Sequence, residues 1–172
     1  FLLFLATICR LRSPIATSAR PSHLFSAVRV RIFAGAPRKT GKRMSTSLAH
    51  KIRLDPTVKQ EQYFRRACGT SRFTWNWALA EWDRQYAAGE KPTAQKLKLQ
   101  WNALKREQFP WVYECHRDAN SQPFSNLQAA FQRFFSGESK RPSFKKRGQH
   151  DTFYIANDKI SVSGMRVRIP RL

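Results

Sequence analysis

Cys68-Gly69-Thr70-Ser71-Arg72-Phe73-Thr74-Trp75-Asn76-Trp77-Ala78-Leu79-Ala80-Glu81-Trp82-Asp83-Arg84-Gln85-Tyr86 carries three of the chain's five tryptophans. Wound at roughly 100° per residue, it shows more than one apolar stripe. Trp75, Leu79, Trp82 and Tyr86 fall on one face, and Phe73, Trp77, Ala80 and Ala87 on nearly the opposite one. A helix apolar on two faces needs packing partners on both sides, so the stretch is expected to form the central helix of a small bundle. Arg72, Asn76 and Asp83 make a polar strip between the two faces. On a mostly buried helix, Arg72 and Asn76 serve either an internal hydrogen-bond network or a contact to a nucleic-acid backbone.

Around this helix the composition sets limits. With 172 residues there is room for one domain, or two small interleaved ones, and a modest core. Thirty-two Lys and Arg against 11 Asp and Glu give a net charge of +21. So basic a chain implies a polyanionic partner, of which nucleic acid is the commonest. Cys9, Cys68 and Cys115 are widely spaced and form no Cys-x-x-Cys pair, which argues against a disulfide framework or a zinc site. The scattered His23, His50, His116 and His150 are read as surface or core residues. No apolar run approaches the roughly 18 residues of a membrane span.

Residues 1–43 hold nine Lys or Arg and no acid, the first acid being Asp55. Two readings stand for this leader: a signal- or transit-like segment, and read-through from upstream of a true start at Met44. Either way residues 1–47 are expected to be a disordered leader, and a chain starting at Met44 should keep the same fold.

From Met44 the chain reads as strand, helices, strands. His50-Lys51-Ile52-Arg53-Leu54 alternates basic and apolar residues, so 48–56 is the first strand. Thr57-Val58-Lys59-Gln60 is a capping box, and the helix it opens should stop at Gly69. The central helix then ends near Gly89, and Thr93 caps a third helix lined by Ala94, Leu97, Trp101 and Leu104. In the fourth, Phe124, Leu127, Phe131, Phe134 and Phe135 recur at helical spacing, with the regular part starting near Ser121 because of Pro123 and closing at Gly137. Lys140-Arg141-Pro142-Ser143-Phe144-Lys145-Lys146-Arg147-Gly148 sets five bases around one aromatic. Such a loop suits a phosphate backbone, the plain alternative being a solvated surface. Phe153–Ile155, Ile160–Val162 and Val167–Ile169 read as strands, with turns at Asn157-Asp158 and Ser163-Gly164. The expected architecture is α+β: a small β-barrel or sheet interrupted by an inserted bundle of about four helices at 57–137, with a basic loop and the remaining strands at 138–172.

Several blocks, in order and covering residues 48–172, resemble the TnpB family of insertion-sequence transposons, also called OrfB. They are His50-Lys51-Ile52-Arg53-Leu54-Asp55-Pro56-Thr57, Gly69-Thr70-Ser71-Arg72-Phe73-Thr74-Trp75-Asn76, the run from Asp118 to Leu127, Arg141-Pro142-Ser143-Phe144-Lys145-Lys146, and Val167-Arg168-Ile169-Pro170-Arg171-Leu172. The resemblance implies RNA-guided DNA endonucleases, also described as transposases with an N-terminal helix-turn-helix. In them a wedge-like barrel and a helical recognition lobe hold a guide RNA and read a short duplex motif. The family's RuvC-like catalytic part and its zinc-binding insertion follow the segment matched here. The resemblance therefore implies a targeting lobe that binds but does not cut, with Mg and Zn belonging only to the C-terminal part. Its partners would be a guide-type RNA and DNA, with no membrane and no small-molecule substrate. Its location would be cytoplasmic or nucleoid-associated if bacterial, organelle targeting by the leader remaining open.

By position in the family, Arg117, Asn120, Ser121 and Asn157 fall near the groups that read the duplex motif, where Arg and Asn suit base edges. A structural helix cap is the alternative for the first three. Lys98, off the apolar face of its helix, is a further backbone candidate. The other functional class is a stand-alone helix-turn-helix-like nucleic-acid-binding protein, such as a transposon repressor.

Overall fold

The computed structural model describes residues 9–11, 29–33, 49–156, 161–164 and 166–169. The chain divides into two compact units, Phe1–Gln62 with Ile155–Leu172, and Tyr63–Tyr154.

The first unit is a five-stranded sheet of β1 (Cys9–Leu11), β2 (Arg29–Phe33), β3 (Ala49–Asp55), β4 (Ser161–Ser163) and β5 (Arg166–Arg168), in the order β2-β3-β1-β5-β4. Every neighbouring pair is antiparallel. The expected hairpin turn at Ser163-Gly164 joins β4 to β5, with Gly164 at φ 53° where a side chain would be strained. Leu54, Val167 and Ile169 are buried.

Among the described residues this is an open sheet with β2 and β4 at its edges, rather than the barrel read as an option above. Three strands have only three residues each, too short a ladder for the tilt and stagger that closure requires. Two strands lie inside the stretch read as a disordered leader. Arg29-Val30-Arg31-Ile32-Phe33 has the same basic–apolar alternation as β3, its partner, and that was the overlooked signal. Phe153–Ile155 forms no strand, while Asn157-Asp158 and Ile160 lie outside the described residues.

The second unit is helical. The capping box is present: the Thr57 N–H donates to Gln60 Oε1 at 2.8 Å and the Gln60 N–H to Thr57 Oγ1 at 3.4 Å. It opens a single 30-residue helix, α1 (Val58–Ala87), so the expected stop at Gly69 does not occur. A glycine ends a helix by turning left-handed, and Gly69 keeps a negative φ. Gly89 does turn, at φ 79°, with its N–H donating to Tyr86 C=O and the Glu90 N–H to Gln85 C=O. α2 (Ala94–Gln108) follows, capped by Thr93 as expected, with Leu97 and Trp101 buried. The Phe109-Pro110-Trp111 break becomes a 3-10 helix, Pro110–Glu114.

α3 (Arg117–Phe135) starts four residues before the expected Ser121 and runs through Pro123. His116 caps it, its Nδ1 accepting from the Asp118 N–H at 3.4 Å. Pro123 takes one N–H from the ladder but is buried, and that packing offsets the loss. Gly137 closes the helix at φ 77° as expected. The bundle is thus three α-helices and a 3-10 turn rather than four helices.

The core joins Trp75, Leu79 and Trp82 of α1 to Leu97, Trp101, Val112, Phe124, Leu127 and Phe131. Trp82 stacks on Phe131 with ring centroids 4.3 Å apart. The second apolar face of α1 is real but short. Phe73 and Trp77 pack on Trp101, at 6.0 and 5.1 Å, whereas Ala80 and Ala87 are exposed, as is Tyr86 at the end of the first face.

Candidate nucleic-acid interface

The basic segment 140–151 has no regular structure, so its backbone polar groups must find partners elsewhere. They find them on the polar strip of α1. The Asn76 amide donates to Lys145 C=O at 3.0 Å, and the Lys145 N–H donates to Asn76 Oδ1 at 2.8 Å. Like a neighbouring strand, one side chain satisfies both backbone groups of one residue. One residue earlier on α1, the Trp75 indole N–H donates to Ser143 C=O at 3.0 Å. The Arg72 guanidinium meets Asp151 at 2.6 Å with both side chains about a quarter exposed, and Asp151 also accepts the Gly148 N–H at 3.1 Å. At the other end, Arg141 pairs with Asp83 at 2.7 Å.

Of the two roles open to Arg72 and Asn76, the internal network is the one observed. The five bases of the segment divide accordingly. The Lys145 ammonium lies over the Trp75 ring, 4.3 Å from its centroid, and burial lowers its pKa. Arg141 is exposed but paired. Lys140, Lys146 and Arg147 are exposed around Phe144, which is itself 56% exposed.

The remaining candidates are scattered. Arg117 is exposed at the start of α3, its Nε 3.5 Å from Asp118. Asn120 is 3% exposed, so its amide is closed to a base edge, and Ser121 is half-buried. None of the three caps the helix, a role that falls to His116, and the first turn of α3 is packed inward through Asp118, Ala119 and Asn120. Lys98 is exposed on α2, and its charge, second to burial, holds the Lys105 pKa down. Asn157 lies outside the described residues. Sequence reasoning missed Trp75, Asp83 and Asp151 as partners of the segment. The available signal was the match between a polar strip on a helix and a loop of similar length with unmet backbone groups. Against α1 and the 3-10 helix lies an open groove of about 500 Å³, lined by Gly69, Phe73, Trp111 and Cys115 among others.

These features define an α+β protein whose helical unit displays a strapped-down basic segment. Residues 44–91 match the family model described as a helix-turn-helix domain, that of the OrfB proteins of IS605-type elements. Over 130 residues the chain is 32% identical to InsQ of Escherichia coli (strain K12), named as a candidate RNA-guided DNA endonuclease; the match covers 72% of this chain and 32% of that protein. The resemblance to TnpB/OrfB proteins read from the motifs is thereby shown, and the chain spans about a third of the length of the curated relative it matches. The matched span 44–91 contains β3 and the uninterrupted α1, so no turn divides two helices within 58–87. No helix among the described residues is long and apolar enough to cross a membrane.

Proposed function

We propose that this chain binds nucleic acid as the targeting lobe of a TnpB-like, RNA-guided DNA endonuclease, contacting a guide-type RNA and a short DNA duplex. The observation that carries the reading is the exposed set Lys140, Lys146 and Arg147 beside Phe144, on a segment held at four points along α1. Three cations with an exposed ring in one short segment suit phosphates and an unstacked base. The net charge of +21 supplies the long-range attraction.

The three aspartates of the helical unit serve its fold, Asp83 pairing with Arg141, Asp118 lying against His116 and Asp151 pairing with Arg72. No group of three or more His, Cys, Asp or Glu that could hold a metal stands among the described residues. Metal-assisted phosphodiester cleavage needs carboxylates free to hold cations, so this stretch is proposed to bind without cutting. The match to a helix-turn-helix family model favours a second reading, a stand-alone duplex-binding repressor.

The test is binding of the purified chain to a structured RNA and to a DNA duplex from low to moderate salt. Wild type should bind RNA at least as tightly as duplex. Lys146→Ala with Arg147→Ala should weaken both and lower the salt slope by about one counterion per lost contact. Tight binding to duplex alone would favour the repressor. An unchanged affinity and slope would remove the segment from the interface. Cleavage with Mg²⁺ or Mn²⁺ that disappears on Asp151→Asn would overturn the non-cutting role.

A further inference from the structure

We infer that Arg72, Trp75 and Asn76 are positioning residues. They clamp the basic segment in one conformation, and this prior ordering, rather than contact with nucleic acid by the three side chains, makes Lys146 and Arg147 an effective phosphate-binding pair. The inference rests on the proposed role of that segment in binding.

The geometry is a zipper. Going down α1 from Asp83 through the adjacent Asn76 and Trp75 to Arg72, the partners go up the segment from Arg141 through Lys145 and Ser143 to Asp151, the two middle contacts crossing by one step. The eleven helical steps from Arg72 to Asp83, at 1.5 Å each, make a rail of roughly 16 Å. From Arg141 to Asp151 the segment could extend to about twice that length, so its four pins, rather than its length, hold it to the rail. The middle pins and the Arg72 pin are all partly shielded from water, while the Arg141 pin is exposed. The ring of Trp75 is 8% exposed, and the Lys145 stem crosses it to place the ammonium on its face. Lys145 thus spends its charge on the clamp, and Lys146, next in sequence, is exposed. Gly148, at φ 81°, turns the chain back so that Asp151 can reach both Arg72 and the Gly148 N–H.

The chemistry explains why these residue types stand here. An Asn side chain presents an NH₂ donor group and an acceptor oxygen in one plane, which matches the C=O and N–H of a single residue. Trp adds a donor on a rigid apolar body, and Arg adds a charge-assisted anchor at the far end. Without them the segment would be a free loop of bases, and each binding event would have to order it first.

The experiment uses the full chain and separates charge from order. Asn76→Ala changes no charge. Its affinity for a single-stranded RNA oligonucleotide should fall about tenfold with the salt slope retained, because the phosphate contacts remain but must be ordered on binding. In the free protein, trypsin should cut faster at Lys145, Lys146 and Arg147, and bound RNA should slow it again. Trp75→Phe keeps an aromatic ring but removes the indole N–H donor to Ser143, with part of the core packing and of the face under Lys145; it should show the same pattern at a few-fold loss, and it carries the test should Asn76→Ala not fold. If proteolysis rises while affinity stays at the wild-type level, the clamp is irrelevant to binding and the inference is wrong. If the salt slope drops as far as in Lys146→Ala with Arg147→Ala, Asn76 is itself part of the contact surface, which also overturns it. If that charge variant binds like wild type, the underlying reading of the segment has failed instead, whatever Asn76→Ala does.

Discussion

At the scale of single residues, charge and environment part company within one short run. Lys145 and Lys146 are neighbours, yet the first lies on an indole and is half-buried while the second is exposed. Lys145→Met should keep the stem packed on Trp75 and leave the salt slope of nucleic-acid binding nearly unchanged, whereas Lys146→Met should lower it by about one counterion. Equal slopes for the two variants, measured by titration at several salt concentrations, would contradict this division. Cys68 gives a second contrast. Burial, with the nearby Asp151 charge adding to it, pushes its thiol from an ordinary 9.0 up to about 12. The thiolate is the nucleophile, so Cys68 in the folded chain should react with iodoacetamide far more slowly than in denaturant at pH 8. The sign for stability follows. A thiol whose pKa is raised by folding contributes stability that is intact below pH 9 and lost as pH rises toward 12, because the unfolded chain ionises first. Cys68→Ala should remove that part of the alkaline decline in melting temperature, and Cys68 alkylating as fast folded as unfolded would refute the burial.

At the scale of elements, two glycines that look alike in sequence do opposite things. Gly69 sits inside α1 with negative φ, and a Cβ built there meets nothing within 4 Å. Gly69→Ala should therefore stabilise the protein by about 0.5–1 kcal/mol, read as a rise of about 1–4 °C in melting temperature. Gly89 at φ 79° closes α1, and Gly89→Ala should cost about 1 kcal/mol even though its surroundings are equally open. Thermal denaturation of both variants checks the pair, and a shared sign would mean that one backbone conformation is wrong. This contrast also shows what was legible. Periodicity and caps identified the Thr57 box, the Thr93 cap, the Gly89 and Gly137 ends and the aromatic core. They misplaced the start of α3 and split α1, because local signals at Gly69 and Pro123 are outweighed by packing along both helices. The polar strip was visible as a strip, but its purpose was not. Only folding shows that its partners lie 58 to 79 residues away, as the side chains of Arg141 and Asp151 and, for Asn76, the backbone of Lys145, which carries no sequence signature.

At the scale of the whole molecule, the argument turns on which residues complete the sheet. Composition favoured discarding the leader, since nine bases and no acids in residues 1–43 look like a segment without a core. The sheet order β2-β3-β1-β5-β4 says otherwise: β1 is the strand that connects β3 to the β4–β5 hairpin. Removing residues 1–43 takes away both β1 and β2, leaving β3 without a described neighbour and the hairpin as an isolated pair. An isolated hairpin is marginal in water, so the sheet should not survive such a deletion. The helical unit Tyr63–Tyr154 draws its core from its own three helices and should remain folded. A chain starting at Met44 is therefore expected to keep its helical circular dichroism and the main melting transition, while losing strand signal and slow amide exchange at Leu54 and Val167. Its affinity for RNA should fall by less than that of Lys146→Ala with Arg147→Ala, because the basic segment stays on α1. If slow exchange at Leu54 and Val167 persists without residues 1–43, β1 does not hold the sheet together.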